Sequence, residues 1–192
     1  MAKQSSLVNM VMTLFVICLL SSAVLAGIYA VTKDPIEAAK VAKTNIAIAK
    51  VVPEFDNNPS SEVFEKSIDG KTCRVYPAKK NGAIVGDAIE SFTTAGFGGR
   101  IVVMVGFNND GTINNTSVIS HSETPGLGDK MVEGKGTFSL QFKGKDPATF
   151  KMIVKKDGGD VDAITASTIS SRAFCDAMNL AYLIYQECKK SE

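Results

Sequence analysis

The sequence predicts an α+β protein, with a single N-terminal transmembrane helix followed by a domain of a mainly antiparallel sheet and a C-terminal helix. Residues 8–31 form an apolar run without a charged side chain. The middle of the chain has short alternating or apolar segments between turn signals, which is typical of antiparallel strands. Near the C-terminus, apolar residues recur at helical spacing. A length of 192 residues suits one domain with an appended segment.

The composition of the chain argues against several classes of function. A formal net charge of +1 offers no basic surface for nucleic acid. The 4 cysteines contain no C-x-x-C pair and there is 1 histidine, so we expect no metal site. Cys175 and Cys188 lie too far apart on one predicted helix to bridge each other, whereas Cys73 can pair with either in an oxidising compartment. Three buried thiols are the alternative.

Residues 8–31 are predicted to be a transmembrane anchor that follows a short tail, residues 1–7. As a helix the run spans about 36 Å, which exceeds the roughly 30 Å of a hydrocarbon core and allows one tilted crossing. A cleaved signal peptide is the rival interpretation, because Val24-Leu25-Ala26 resembles a cleavage site. The apolar run continues to Val31, beyond the core of a usual signal peptide, so we favour the uncleaved anchor.

The charges beside the anchor point to one orientation without fixing it. One lysine precedes the run and several follow it, so the positive-inside rule would leave the domain in the cytoplasm. A long C-terminal domain can, however, translocate regardless of charge.

Residues 32–61 are predicted to be a connector between the anchor and the domain. Asp34 and Pro35 suit the start of a separate helix, as its cap and its first residue. Apolar residues continue at helical spacing to Val51. The following residues, 53–61, include two prolines and several polar side chains, so we expect a loop.

The domain, residues 62–192, is predicted to contain strands followed by a helix. Residues 62–78 are predicted to form one or two strands, and further strands are predicted over residues 83–94, 101–107, 112–121, 151–154 and 161–164. Asn81-Gly82 is a strong signal for a hairpin turn before the strand at residues 83–94. A helix is predicted over Thr168–Cys188. Its apolar stripe, which we assign to core packing, consists of Phe174, Met178, Tyr182 and Tyr185.

A strand-to-helix turn at residues 161–172 is the first candidate site. Apolar residues end at Ile164, small hydroxylated residues follow, and the predicted helix begins at Thr168. The first N–H groups of a helix have no intrahelical partner, so such a turn can hold a phosphate-sized anion, to which Arg172 would add a positive charge. The alternative is that these hydroxyl groups only cap the helix.

This stretch resembles the flavinylation motif of the FMN-binding domain family. The family pattern is an acidic residue, two spacers, Ser or Thr, Gly, Ala and the Thr that carries FMN. Asp162, Thr165 and Thr168 match it in type and spacing, while Ala166 replaces the usual Gly and Ser167 the usual Ala. The resemblance implies one FMN per chain, joined by a phosphoester to the side-chain oxygen of Thr168. The implied cofactor-binding residues here are Asp162, Thr165, Ser167, Thr168, Ile169, Ser170 and Arg172.

A second stretch, residues 121–130, resembles another motif of the same family. Its segment Glu-Thr-Pro-Gly-Leu-Gly, residues 123–128, matches the family residue for residue. Glycines let the backbone approach a flat ligand closely, and the leucine offers an apolar contact for a ring face. On composition alone, a rigid surface turn is the alternative. The resemblance implies contacts to the isoalloxazine ring from Glu123, Thr124, Gly126, Leu127 and Gly128.

The residues argue against two other functions. His121 suggests a Ser-His-Asp hydrolase with a serine and an aspartate of the first motif, but the chain has no G-x-S-x-G segment. Gly96-Phe97-Gly98-Gly99 is superficially similar to a dinucleotide-binding loop. It precedes a predicted strand rather than opening a helix, so we reject that fold.

The resemblance covers residues 95–187. With its short length and single predicted span, the chain is most similar to the G subunits of Rnf-type electron-transport complexes. The longer C subunits of sodium-pumping NADH:quinone oxidoreductases are the related alternative. The resemblance implies an electron carrier, rather than a stand-alone enzyme, in an ion-translocating ferredoxin:NAD oxidoreductase complex. Its partners would be the other subunits and a flavin transferase. A cofactor-free, membrane-anchored assembly or binding subunit is the alternative function.

The resemblance also implies a location. The chain would be a single-pass protein of the inner (cytoplasmic) membrane, with its C-terminal domain on the extracytoplasmic side. This expectation opposes the simple count of flanking lysines.

Overall fold

The computed structural model describes residues 7–190 of the chain. The chain divides into two compact units, Met1–Ala42 and Lys43–Glu192. The described part of the first unit is helical, and the second contains a five-stranded sheet, a C-terminal helix and several short 3-10 helices. The predicted α+β class is therefore confirmed.

The N-terminal helix, α1, is Leu7–Val51. Within residues 7–190 it is the one helix that is long and apolar enough to cross a membrane, with a mean hydropathy of 2.5 in its most apolar window. Contrary to expectation, no new helix starts at Asp34, because α1 continues through Pro35. An internal proline removes a single N–H donor, and residues 37–40, Glu-Ala-Ala-Lys, are strong helix formers that sustain the helix beyond it.

Five strands follow and form one antiparallel sheet in chain order. They are β1 (Phe64–Ile68), β2 (Lys71–Lys80), β3 (Ala83–Gly96), β4 (Gly99–Asn108) and β5 (Ile113–Ser120). Asn81 and Gly82 join β2 to β3 with φ values of 53° and 79°. Left-handed geometry at both central residues is what a two-residue hairpin of this type requires. The hairpin predicted there is confirmed.

The C-terminal helix, α2 (Thr168–Lys189), packs against one face of the sheet. Successive residues of a strand point to opposite faces, so the alternate residues Val103, Val105 and Phe107 of β4 enter the core beneath α2. The stripe predicted on α2 lies in this core, which confirms its structural role. Its buried members are Phe174, Met178 and Tyr185, and Tyr182 packs at the margin.

The cysteines of the domain lie in the same core. Cys73, Cys175 and Cys188 are buried, and no disulfide bond joins any of the cysteines in the described chain. Burial raises the pKa of the Cys175 thiol to about 12. A thiol that stays protonated is a poor nucleophile, so this side chain acts as a small apolar group.

The last residues of α1 pack against the opposite face of the sheet. A Cβ at Gly106 of β4 would lie only 1.8 Å from the carbonyl oxygen of Val51, so only glycine allows this close approach. Two side chains of β5 bind the final carbonyl groups of the helix. Asn114 donates to Val51 at 2.8 Å and Asn115 donates to Lys50 at 3.1 Å. These bonds satisfy acceptors that a helix end leaves without intrahelical partners.

The structure contradicts the two strands predicted within residues 151–164. Only Val154 and Val161 pair, as an isolated parallel bridge. The N–H group of Lys151 donates instead to the carboxylate of Asp160 at 2.7 Å. Turn and side-chain hydrogen bonds therefore satisfy the backbone of this segment, and its two apolar anchors reach the core without a strand ladder.

Candidate functional site

Three segments of the domain surround a cavity of about 350 Å³. They are the turn between β3 and β4, the loop after β5, and the start of α2. The cavity brings together two motifs that lie far apart in the chain. The predicted site residues in its lining are Glu123, Thr124, Leu127, Gly128, Ser167, Thr168, Ile169 and Ser170.

Thr168 is the first residue of α2, so the first N–H groups of the helix lie beside its hydroxyl group. These groups lack intrahelical partners and form the positive end of the helix dipole. The side chain of Ser167 makes no capping bond. Instead, Ser171 accepts the N–H of Ile164 and donates to the carbonyl of Ser167, both at 2.9 Å. The hydroxyl of Ser171 thus binds the backbone of the turn, which leaves the first N–H groups of α2 available to an anion.

Ala166 adopts a left-handed backbone conformation, with φ at 60°. For an L-residue this conformation costs about 1–2 kcal/mol relative to the right-handed one. The family motif has glycine at this position, and glycine enters the left-handed region without steric cost. The chain therefore keeps the geometry of the turn with a residue that is strained in it.

The carboxylate of Glu123 connects three parts of the cavity and is only 4% exposed. Its Oε1 accepts the N–H of Gly98, in the turn between β3 and β4, at 2.9 Å. Its Oε2 accepts the hydroxyl of Ser170, in the first turn of α2. A Cβ at Gly128 would lie 2.6 Å from the same Oε2, which explains the glycine there. Glu123 is thus a hydrogen-bonded buried carboxylate that holds the cavity walls together.

The loop after β5 presents an apolar side chain to the cavity. The N–H of Leu127 donates to the carbonyl of Thr124 at 3.2 Å, and Gly126 between them has φ at 78°. This turn leaves the side chain of Leu127 41% exposed in the cavity lining. Gly126 shapes the loop from outside the lining, whereas Thr124 is part of it.

Two residues of the first motif lie in a neighbouring groove of about 430 Å³. Asp162 and Thr165 line that groove rather than the cavity. The carboxylate of Asp162 pairs with Lys155 at 2.7 Å. Its backbone N–H donates to the side chain of Gln141 at 2.7 Å, and its carbonyl accepts from the same side chain at 3.0 Å. The structure therefore gives Asp162 a role in shaping the segment that leads to α2.

Arg172 lies outside the cavity lining and pairs with Asp157. The guanidinium donates from Nε at 2.6 Å and from Nη2 at 2.7 Å, one bond to each carboxylate oxygen. The hydrogen bond from Arg172 lowers the pKa of Asp157 and raises that of the guanidinium. Support of a phosphate by Arg172 stays a prediction, and the Asp157 carboxylate would compete for the same side chain.

Sequence reasoning missed Phe97, which lines the cavity from the turn between β3 and β4. Its ring is 69% exposed. The glycine-rich segment was recognised, but only as the lead into a strand. The available signal was an aromatic residue with glycines on both sides at a hairpin turn. Glycine has no side chain that could cover the neighbouring ring.

The histidine considered for hydrolysis has a structural contact. The N–H of Glu123 donates to Nδ1 of His121 at 3.1 Å. In the part of the chain that the structure describes, no serine hydroxyl bonds to His121, and no group of three or more His, Cys, Asp and Glu side chains could hold a metal ion. Rejection of the hydrolase is consistent with this arrangement, since a triad needs a serine bonded to its histidine.

Comparison with known proteins identifies the family to which the chain belongs. The model of the FMN-binding domain family matches residues 96–183, which include the whole cavity lining. The G subunit of the Na⁺-translocating ferredoxin:NAD⁺ oxidoreductase complex of Acetobacterium woodii is 32% identical over 190 residues, covering 92% of this chain and 90% of that protein. The chain belongs to this family of G subunits.

Two further members of the G-subunit family show the same degree of similarity. The G subunit of the ion-translocating oxidoreductase complex of Cereibacter sphaeroides is 37% identical over 161 residues, with 81% of this chain and 73% of the relative covered. That of Erwinia tasmaniensis is 36% identical over 175 residues, covering 86% and 83% respectively. The similarity therefore extends well beyond the FMN-binding domain.

The residues that line the cavity are chemically suited to FMN. Leu127 and Ile169 offer apolar surface for a flat ring system, as flavin sites need. The start of α2 offers N–H groups and a positive dipole end for a phosphate. Thr168 adds a hydroxyl to the same wall of the cavity.

Proposed function

We propose that this chain is a membrane-anchored electron-transfer subunit of an ion-translocating ferredoxin:NAD oxidoreductase complex, with one FMN covalently attached to Thr168. The position of Thr168 is the observation that carries the proposal. It is the first residue of α2, and it lies in the wall of a partly apolar cavity. Membership of the G-subunit family supports the assignment to such a complex.

Attachment of FMN would be a substitution at phosphorus. Oγ1 of Thr168 forms a bond to the FMN phosphorus while the phosphoanhydride bond of an activated flavin donor breaks, and the hydroxyl proton is transferred to the phosphate monoester that is released. A separate flavin transferase would supply and activate that donor. The resulting phosphodiester keeps about one negative charge, which the N–H groups and the dipole at the start of α2 stabilise.

The residues of the chain would position the cofactor rather than react with it. Bound FMN supplies the redox chemistry. Leu127 and Ile169 provide apolar contacts and exclude water from the ring. Glu123 keeps the β3–β4 turn and the start of α2 at a fixed separation through its two hydrogen bonds. A fixed cavity limits reorganisation around the cofactor when its charge changes.

The membrane arrangement is part of the proposal. Helix α1 would cross the inner membrane once, the domain would lie on the extracytoplasmic side, and other subunits of the complex would be its partners. Family membership and the apolar part of α1 support this arrangement. Protease added to intact spheroplasts should degrade the domain. Protection of the domain until the membrane is permeabilised would place it in the cytoplasm.

The decisive experiment is intact mass analysis, with peptide mapping, of the chain purified from its native membrane. We expect one added FMN on the peptide that contains Thr168, and a fluorescent band that survives a denaturing gel. A Thr168→Ala variant should fold but lack both signals. Thr94→Ala is the matched control, because Thr94 is an exposed threonine outside the cavity. Full loading of Thr168→Ala would refute covalent attachment at this residue, and an unmodified wild type would favour the cofactor-free assembly role.

A further inference from the structure

The fold holds Phe97 in a defined position but leaves its aromatic ring exposed. The residue occupies the first position of the two-residue turn that joins β3 to β4, between the paired residues Gly96 and Gly99. Its ring is 69% exposed. Large apolar side chains gain free energy when covered, so an aromatic ring left open beside a cavity indicates a surface that a ligand covers.

The backbone of this turn is tightly held, so the exposure of Phe97 does not result from a loose loop. A Cβ at Gly98 would lie 1.9 Å from the carbonyl oxygen of Ser122, and one at Gly96 would lie 2.4 Å from that of Gly99. The N–H of Gly98 donates to the buried carboxylate beside it at 2.9 Å. The turn therefore packs closely against the neighbouring chain and presents the ring from a rigid support.

Two other exposed apolar side chains meet Phe97 at the same cavity. Leu127 comes from the loop after β5 and is 41% exposed, and Ile169 comes from the first turn of α2 and is 50% exposed. Three separate segments thus direct uncovered apolar groups to one opening. Thr168, next to Ile169, lies in the same wall. A flat aromatic group that extends from Thr168 would cover all three side chains together.

We propose that Phe97 contacts a face of the isoalloxazine ring and holds it in the cavity. This inference rests on the proposed function, because it requires FMN on Thr168. Aromatic rings favour offset or edge-to-face contact, and such contact is preferred over separation by about two- to tenfold. Removal of the Phe97 ring should therefore leave FMN attached but make its ring system mobile and accessible to solvent.

The absence of tryptophan from the chain makes this contact measurable. Phe97→Trp introduces a single indole, which quenches flavin emission by electron transfer when the two rings touch. We expect the flavin emission of the loaded full-length protein to fall about three- to tenfold, given the strength of aromatic contacts. Leu183→Trp is the matched control: Leu183 is 46% exposed, and it lies about 21 Å along the axis of α2 from Ile169. Its indole should leave the emission nearly unchanged.

A second variant tests the same contact if the indole disturbs the turn. In Phe97→Ala the flavin should become about two- to tenfold more accessible to iodide quenching, because the aromatic contact that favours the covered position by that factor is lost. Both readouts are taken after intact mass has measured FMN loading, which separates the two proposals. A wild type without FMN overturns the proposed function and this inference with it. Loaded Phe97 variants with unchanged emission and unchanged iodide quenching overturn only the role of Phe97.

Discussion

Replacement of Ala166 by glycine should stabilise the protein, although glycine usually destabilises a folded chain. Ala166 has φ at 60°, in the region where a Cβ contacts its own backbone unfavourably. Glycine removes that contact without changing the turn. Ala163 is the matched control, because it is also exposed and lies in the same segment but has no left-handed conformation.

The magnitude follows from two opposing effects. Relief of the left-handed strain stabilises the folded state by about 1–2 kcal/mol. The greater freedom of glycine in the unfolded chain opposes this by about 0.4–1 kcal/mol. Ala166→Gly should therefore increase the free energy of unfolding by about 0.5–1 kcal/mol, which corresponds to a rise in Tm of roughly 1–4 °C for a protein of this size. Ala163→Gly experiences only the second effect and should lower the Tm.

Thermal unfolding, followed by circular dichroism on the full chain in one detergent, measures both variants under equal conditions. The reasoning requires shifts of opposite sign for the two alanines. A fall in Tm for Ala166→Gly similar to that of Ala163→Gly would show that the turn is not strained in solution. Intact mass of the same samples reports FMN loading, which should be at least as complete in Ala166→Gly as in the wild type.

Three further predictions concern the domain. Gly106→Ala should lower stability by about 1–3 kcal/mol, because the added methyl group would overlap the carbonyl of Val51 and force the end of α1 away from the sheet; an unchanged Tm would contradict this. Glu123→Ala should cost about 1–3 kcal/mol in chemical denaturation, since it leaves the buried hydroxyl of Ser170 unpaired and removes the acceptor of the Gly98 N–H, whereas Glu123→Gln should cost less. Burial and the Glu90 carboxylate, which accepts the hydroxyl of Tyr76 at 3.0 Å, raise the pKa of Tyr76 to about 12. In the unfolded chain the tyrosine loses its proton near its ordinary pKa of about 10, so the free energy of unfolding should fall as the pH rises from about 10 to the pKa of the folded state. The ultraviolet difference titration between wild type and Tyr76→Phe should have its midpoint at about 12. A midpoint near 10 would refute the contact.

The local elements were predictable because their signals are local. A charge-free apolar run predicted the long apolar part of α1, Asn81-Gly82 predicted a left-handed hairpin, and helical spacing predicted α2. The two strands predicted within residues 151–164 were wrong, because a strand also needs a pairing partner, which a local pattern does not show. Their apolar residues have the right pattern, but they form only an isolated bridge and no strand ladder.

The candidate site was predicted in part. Resemblance to a family motif placed Thr168 at the start of a helix and drew attention to the Glu-Thr-Pro-Gly-Leu-Gly loop, and the fold brings both to one cavity. Asp162 and Thr165 belong to the same motif but line a separate groove. Spacing along the chain shows which residues are neighbours in sequence, but a turn directs their side chains to different surfaces.

The sequence by itself determined the long N-terminal helix, the β2–β3 hairpin turn, α2 and the chemistry of its helix start, because each depends on residues within a few positions of each other. Only the tertiary structure decided the partners of the site. It paired Arg172 with Asp157, bonded Glu123 to both Gly98 and Ser170, and brought Phe97 to the cavity. Each of these contacts joins segments separated by many residues, and their formation depends on how the sheet and α2 pack, which no local pattern encodes.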